Sequence, residues 1–241
     1  MGLPRARIVE RLGDPAAPKA VSLIAIHQHG IPDKFPDAAI AEADRMKPAA
    51  LGDREDLRHL PFVTIDPADA RDHDDACYAH ADEDPRNEGG HIVWVAIADV
   101  ARYVTPGSAL DREARNRGNS TYFPDRVVPM LPDRLSGDLC SLHEGVARAV
   151  IAVWMKLDMK GRKVSHRFTR AMIKSVASLN YTEVQEARDG RPNDRCEPLL
   201  EDCLLYTSDA ADDLLCVDLG GRRIIKKKNE NVQSLLPIMI L

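Results

Sequence analysis

At 241 residues the chain has room for one or two domains, and a hydrophobic content of 44% is ordinary for a globular protein. A net charge of −5 with no basic tail excludes a partner held by overall positive charge, although it says little about a channel lined locally with arginine. No leader pattern opens the chain and no apolar run has membrane length, so no membrane contact is expected and the cytoplasm is the expected compartment.

Residues 1 to about 50 read as a separate unit. Arg5 to Leu12 and Ala20 to Ile26 alternate or run apolar and are predicted strands, broken by Gly13-Asp14-Pro15. Phe35 to Met46, after Pro32, carries apolar residues at helical spacing. Phe62, Val63 and Ile65 predict a strand with Asp66 at its end, and Cys77, Tyr78 and then His91 to Ile97 supply further sheet material. Asp82 to Gly90 is polar and glycine-rich, a hairpin loop. Ser108 to Gly118 predicts a short helix in which Ser108 caps, Asp111 closes a capping box and Gly118 stops the helix. Asp158 to Arg162, containing Lys160-Gly161, predicts a second tight hairpin turn. There are no internal repeats. Cys77, Cys140 and Cys196 lack CxxC spacing and are expected as buried or free thiols in a reducing compartment.

The densest chemistry lies in TIDPADARDHDDA, Thr64 to Ala76, where five aspartates fall within ten residues. Carboxylates this close repel one another and cost stability unless something cationic sits between them. A solvated acidic loop is the plain alternative, at even odds on composition alone. Position argues against it, because the cluster is held between apolar strands. A calcium loop of the EF-hand type would need glycine at its sixth place, and counting from Asp72 that place holds Cys77. Oxygen ligands at this spacing suit a hard divalent ion, Mg²⁺ or Mn²⁺.

This stretch resembles the active-site motif of the ribonuclease II and ribonuclease R exoribonucleases, in their catalytic RNB domain. The resemblance continues from Val95 to Leu142 through VAIADVARYVTPGSALDREARNRGNSTYFPDRVVPMLPDRLSGDLCSL, then through MKLDMKGRKVSHRF and SLNYTEV, and reaches upstream to the amino terminus. It covers nearly all of residues 1 to 202 in family order. ALDREARNRG and YFPDRVVPMLP favour the ribonuclease R branch. The resemblance implies an α+β chain: a partial OB-type, cold-shock β remnant with a connecting helix over residues 1–50, then the N-terminal half of an RNB domain over 51–202, with a mixed or antiparallel sheet and helices. An OB barrel needs five strands and only about two are legible here. The implied activity is 3′-to-5′ hydrolysis of single-stranded RNA to nucleoside 5′-monophosphates by a monomer. Asp66, Asp72 and Asp75 match the family's metal-binding aspartates, and Asp74 the one needed for cleavage but not for RNA binding. Two metals about 3.5–4 Å apart can activate water and stabilise both oxygens of an in-line displacement. Tyr122 matches the tyrosine that contacts the last nucleotides, where a stacked base is worth about 1–3 kcal/mol whatever its identity; without the resemblance it reads as a core tyrosine. Arg126 is a candidate RNA-binding residue, and with Arg112, Arg115 and Arg117 it fits a phosphate track or solvated helix charge equally well. Asp69 is expected as a turn residue and His73 as a packing or hydrogen-bonding residue. Another magnesium-dependent phosphoesterase would leave Tyr122 and PDRVVPMLP unexplained. A non-catalytic RNB-type binding protein would need one of Asp66, Asp72, Asp74 and Asp75 replaced, and all four are present.

From Cys203 the text CLLYTSDAADDLLCVDLGGRRIIKKK resembles no part of that family. Back-translated, its first part matches the transposase end of a sequencing-library adapter, and Val217 to Ile225 matches the flow-cell end of the same adapter. Asp213 to Cys216 occupy the index position, Lys226 to Lys228 encode a run of A, and Asn229 to Leu241 read as noise. Residues 203–241 are therefore expected to be a disordered, non-native tail, to be left out of fold reasoning. Because the family's further catalytic arginine would lie beyond Asp202, the chain by itself is expected to be inactive.

Overall fold

The computed structural model describes residues 20–200. Its spine is a long antiparallel run of five strands. β2 (Val63–Asp66), β3 (Asp75–Ala81), β4 (His91–Ala98), β7 (Ala147–Leu157) and β8 (Lys163–Lys174) lie side by side. The two-residue β1 (Glu55–Asp56) closes one edge against β8, and β9 (Ala177–Asn180) closes the other by pairing parallel with β2. The resulting order is β1-β8-β7-β4-β3-β2-β9. β5 (Thr121–Phe123) and β6 (Arg126–Val128) form a separate two-stranded hairpin.

Register explains the two faces, since side chains alternate along each strand. Trp94 stands opposite Trp154 and Ala96 opposite Ala152. These residues share the main core with Val150, Ala171 and Ile173, and with Phe62 at the entry to β2. Helix α2 (Asp37–Asp44) adds Ala39 and Ala43, and α3 (Ala109–Arg117) adds Leu110. A wide π-type turn at Arg134–Leu139 adds Leu135 and Leu139. A smaller cluster of Val63, Ala177, Leu179, Ala187 and Cys196 seats α4 (Tyr181–Arg188) beside β9.

The hairpin connections follow their sequence signals. Asp82–Gly90 joins β3 to β4, and Gly90 is required there because a Cβ would stand 2.5 Å from the Leu157 carbonyl oxygen. Asp158–Arg162 joins β7 to β8, with the Asp158 N–H donating to the Arg162 carbonyl at 2.9 Å. α3 starts at Ser108, whose Oγ accepts from the Asp111 N–H at 3.1 Å, and stops at Gly118 with φ +80°. Its capping box is displaced by one position: the Asp111 carboxylate accepts from the Gly107 N–H rather than that of Ser108. Asp69 lies in a turn in which the Ala70 N–H reaches the Pro67 carbonyl. Cys77, Cys140 and Cys196 form no disulfide, and Cys140 and Cys196 are buried.

The predicted strand at Ala20 to Ile26 is a helix. α1 spans Ala20–Gln28 and buries Ala20, Ser22 and Ile26. A short unbroken apolar run reads equally as either element, and no described strand edge is paired with it. A helix satisfies its backbone groups internally, so it wins where no ladder is on offer. The predicted strand at Arg5 to Leu12 and the proposed tail at 203–241 lie outside the described residues. Among the described residues no helix is long and apolar enough to cross a membrane.

Candidate active site

The aspartates occupy the loop from the end of β2 to the start of β3. Asp66 ends β2, level with Asn180 of β9, and Asp75 begins β3, level with Ile97 of β4. Between them the backbone is tied to other elements rather than left to solvent. The Ala98 N–H donates to the Asp74 carbonyl at 2.9 Å, and the Leu142 N–H to the His73 carbonyl at 2.8 Å. The His73 N–H donates to Ser141 Oγ at 3.0 Å, and that hydroxyl donates to the Arg71 carbonyl at 3.2 Å. Ser141 is buried, and Arg148 from β7 holds its segment, donating to the Ser141 carbonyl at 2.9 Å and to Asp138 at 2.8 Å.

This frame forces like charges together. Burial against the surrounding protein is the largest cause raising the Asp74 carboxyl to about 6; the charges of Asp72, Asp75 and Asp66 add to it, and His73 opposes it. Burial also raises Asp75, with the Asp66 charge second. Both side chains are nevertheless exposed at the surface, so the protein that penalises their charge encloses them on one side only. Beneath them the Cys140 thiol is pushed up to about 12, by burial first and the Asp74 charge second. It is a packing residue.

Two aromatic residues flank the cluster. Tyr122, on β5 and 56% exposed, donates its hydroxyl to Asp72 Oδ2 at 3.2 Å. It is a surface residue poised on the carboxylates, not a core tyrosine. Tyr181, the first residue of α4, stands on the other flank, its phenol raised by partial burial and then by the charges of Asp66 and Asp75. Sequence reasoning did not single out Tyr181. Its one signal was its place directly after Asn180, and only the parallel pairing of β9 with β2 turns that into proximity to Asp66. His73 behaves as the sequence predicts, with Nδ1 2.7 Å from Asp66 Oδ2, and its ring packs edge-on against His143.

The arginines divide. Arg117 is no phosphate contact: its side chain is 2% exposed, it pairs with Glu113 at 2.8 Å, and its guanidinium lies 3.6 Å from the Phe35 ring centre. Arg115 pairs with Asp111 on the helix surface, and Arg112 donates to the Gly107 carbonyl. Arg126, on β6, is engaged with Asp125 at 3.0 Å at the hairpin tip. The structure thus brings Asp66, Asp72, Asp74, Asp75 and Tyr122 together and leaves Arg126 one hairpin position away.

The donor set is all carboxylate oxygen and mutually repelling, which is the chemistry a hard divalent cation relieves. In donor type the residues fit Mg²⁺ or Mn²⁺. As placed, no three His, Cys, Asp or Glu side chains among the described residues converge to hold an ion, and Asp66 Oδ2 is taken by His73.

A seven-stranded mixed sheet that delivers four aspartates to one end, with a separate hairpin setting a tyrosine against them, defines a candidate hydrolytic domain. Residues 54–234 match the RNB domain family, so the chain belongs to that family; residues 2–36 match the cold shock domain. The helix α1 lies inside the second match, and the first runs past Asp202.

Among its relatives is ribonuclease R of Acidithiobacillus ferrooxidans, 46% identical over 186 residues that make up 76% of this chain and 41% of the relative. Ribonuclease R of Escherichia coli is 45% identical over 188 residues, 76% of this chain and 23% of the relative. The chain therefore spans less than half the length of these relatives. Among solved structures, Mycoplasma genitalium RNase R in complex with double-stranded RNA superposes with a TM-score of 0.76 at 30% identity, covering 85% of this chain and 36% of that one. The same enzyme in complex with ribose-methylated single-stranded RNA gives 0.73 at 30% identity, covering 83% and 30%.

Proposed function

We propose that the chain carries the metal-binding part of a ribonuclease R-like site that hydrolyses single-stranded RNA from its 3′ end and releases nucleoside 5′-monophosphates. The carrying observation is the Tyr122 hydroxyl on Asp72 at 3.2 Å, which joins an exposed aromatic face to the carboxylate cluster. Asp66, Asp72 and Asp75 would hold Mg²⁺ or Mn²⁺, which when bound supplies a Lewis acid for the phosphoryl oxygen.

The chain's own residues do the rest. Asp72 accepts the Tyr122 proton donor and so fixes the ring, which stacks on the terminal base for about 1–3 kcal/mol irrespective of sequence. His73 faces Asp66 and sets that carboxylate's orientation. Asp74, whose carboxyl is raised to about 6 by burial and then by the neighbouring carboxylates, is the catalytic residue. Arg126 offers positive charge to a phosphate next to Tyr122, being paired in register with Phe123. RNA is the favoured substrate because the RNase R neighbours were solved with it. We place the protein in the cytoplasm, a reading supported by the absence of a disulfide at Cys77, Cys140 and Cys196, and take it to be a monomer.

The test uses the complete gene product and an end-labelled oligoadenylate. With Mg²⁺ or Mn²⁺ we expect stepwise shortening from the 3′ end, abolished in Asp74→Asn while RNA still binds. Undiminished hydrolysis by Asp74→Asn, or by the parent in excess chelator, would sink the assignment. The 241-residue chain by itself is expected to leave the oligonucleotide intact.

A further inference from the structure

The hairpin that carries Tyr122 has three residues per strand and pairs with no other strand among the described residues. Two strands of that size are marginal in water, so the pose of Tyr122 depends on what grips the hairpin's ends. At the base, the Met130 N–H donates to Ser120 Oγ at 3.0 Å and Arg117 donates to the Pro129 carbonyl at 3.1 Å. At the tip sits Asp125. One carboxylate oxygen accepts from Arg126 at 3.1 Å, and the other accepts from the hydroxyl of Ser22, a buried residue of α1 far away in sequence. Ser22 and the Phe35 ring under Arg117 both belong to the segment matched by the cold shock domain, whereas the hairpin belongs to the RNB match.

We propose that Asp125, gripped by Ser22, is a positioning residue that fixes the hairpin tip so that Tyr122 stands over the aspartates. The cold-shock-matched segment thereby helps decide how an RNA 3′ end is presented. The inference rests on the reading of Tyr122 as the stacking residue. The logic is mechanical: the base ties and the Tyr122–Asp72 bond leave the far end of a short hairpin without a hold of its own, and the hydroxyl–carboxylate bond supplies it. Hydrogen bonds to a charged group are the stronger kind, so one is enough to matter.

The experiment compares the 241-residue chain with Ser22→Ala, Asp125→Ala and the hydroxyl-retaining Ser22→Thr. Each is labelled with 3-fluorotyrosine, and the Tyr122 signal is assigned by its loss in Tyr122→Phe. Ser22→Ala and Asp125→Ala are expected to shift or broaden the Tyr122 fluorine resonance alike, while Tyr78 and Tyr103 stay in place and Ser22→Thr stays close to the parent. An unmoved Tyr122 signal in Ser22→Ala overturns the proposal. Binding of a 5′-fluorescein decauridylate in chelator supplies the second readout. Ser22→Ala should weaken it about tenfold, the lower end for losing a bond to a charged group, and should cost nothing more in a Tyr122→Ala background. Equal losses in both backgrounds overturn the proposal, because Ser22 would then not act through Tyr122. If Tyr122→Ala binds as well as the parent, the reading of the site fails instead, and the fluorine spectrum still decides the anchor.

Discussion

The aspartate loop and the Tyr122 hairpin face each other across the same site but are held by opposite means. The loop hangs from two strands of the seven-stranded sheet, with its backbone tied to Ala98, Ser141 and Leu142. The hairpin is outside that sheet and is held by side chains at its two ends. The difference follows from what each carries. Carboxylates that repel one another spread apart unless the backbone prevents it, so the charged element needs the rigid frame. A ring that stacks on any base needs only an approximate plane, and a lightly held element provides that.

If this contrast is right, the largest stability loss should come from the frame's buried cation. Arg148→Ala removes the donor to the Ser141 carbonyl and to Asp138, and about 2–4 kcal/mol is expected in chemical denaturation. A loss below half a kilocalorie would show that the frame does not depend on it. Ser141→Ala is next, at about 1–2 kcal/mol, since the His73 N–H loses its partner in a buried position. Hydrogen exchange at the His73 amide should rise in parallel.

The third effect has the opposite sign and depends on pH. The Asp74 carboxyl is raised to about 6 from 3.8, so ionising it costs the folded state free energy. That cost is absent below about pH 3.8, grows as pH rises, and is complete above about 6. In chelator, Asp74→Asn is therefore expected to be more stable than the parent at pH 7.5 and to lose that advantage at pH 4. The gain should be about 1 kcal/mol, discounted because the side chain is exposed and solvent screens it. Thermal melts at the two pH values decide it, and a variant that gains equally at both would contradict the origin in repulsion. The smallest effect belongs to the hairpin. Tyr122→Ala is expected to change stability by less than about 0.5 kcal/mol, because the ring is exposed. A larger loss would make Tyr122 part of the structural frame and blur the comparison.

Local physics in the sequence was enough for much of this. The apolar, β-branched runs of Val63–Asp66 and His91–Ala98, the polar turns at Asp82–Gly90 and Asp158–Arg162, and the Ser108 and Gly118 ends of α3 are written in neighbouring residues, where composition and backbone freedom decide the outcome. So is the aspartate density, because charge and spacing along one loop need no distant partner to be read. The tertiary structure decided what depends on remote partners. Ala20–Gln28 became a helix because an apolar run without alternation takes whichever backbone pairing is offered. Arg117 went inside because Glu113 and Phe35 were there to receive it, while Arg115, two residues earlier, stayed on the surface. Tyr181 reached the cluster only through the β2–β9 pairing, and the hold of Ser22 on Asp125 joins residues that no local pattern relates. Side-chain type and short-range periodicity fix what a segment is able to do, but which groups meet is settled by the non-local contacts that close the fold.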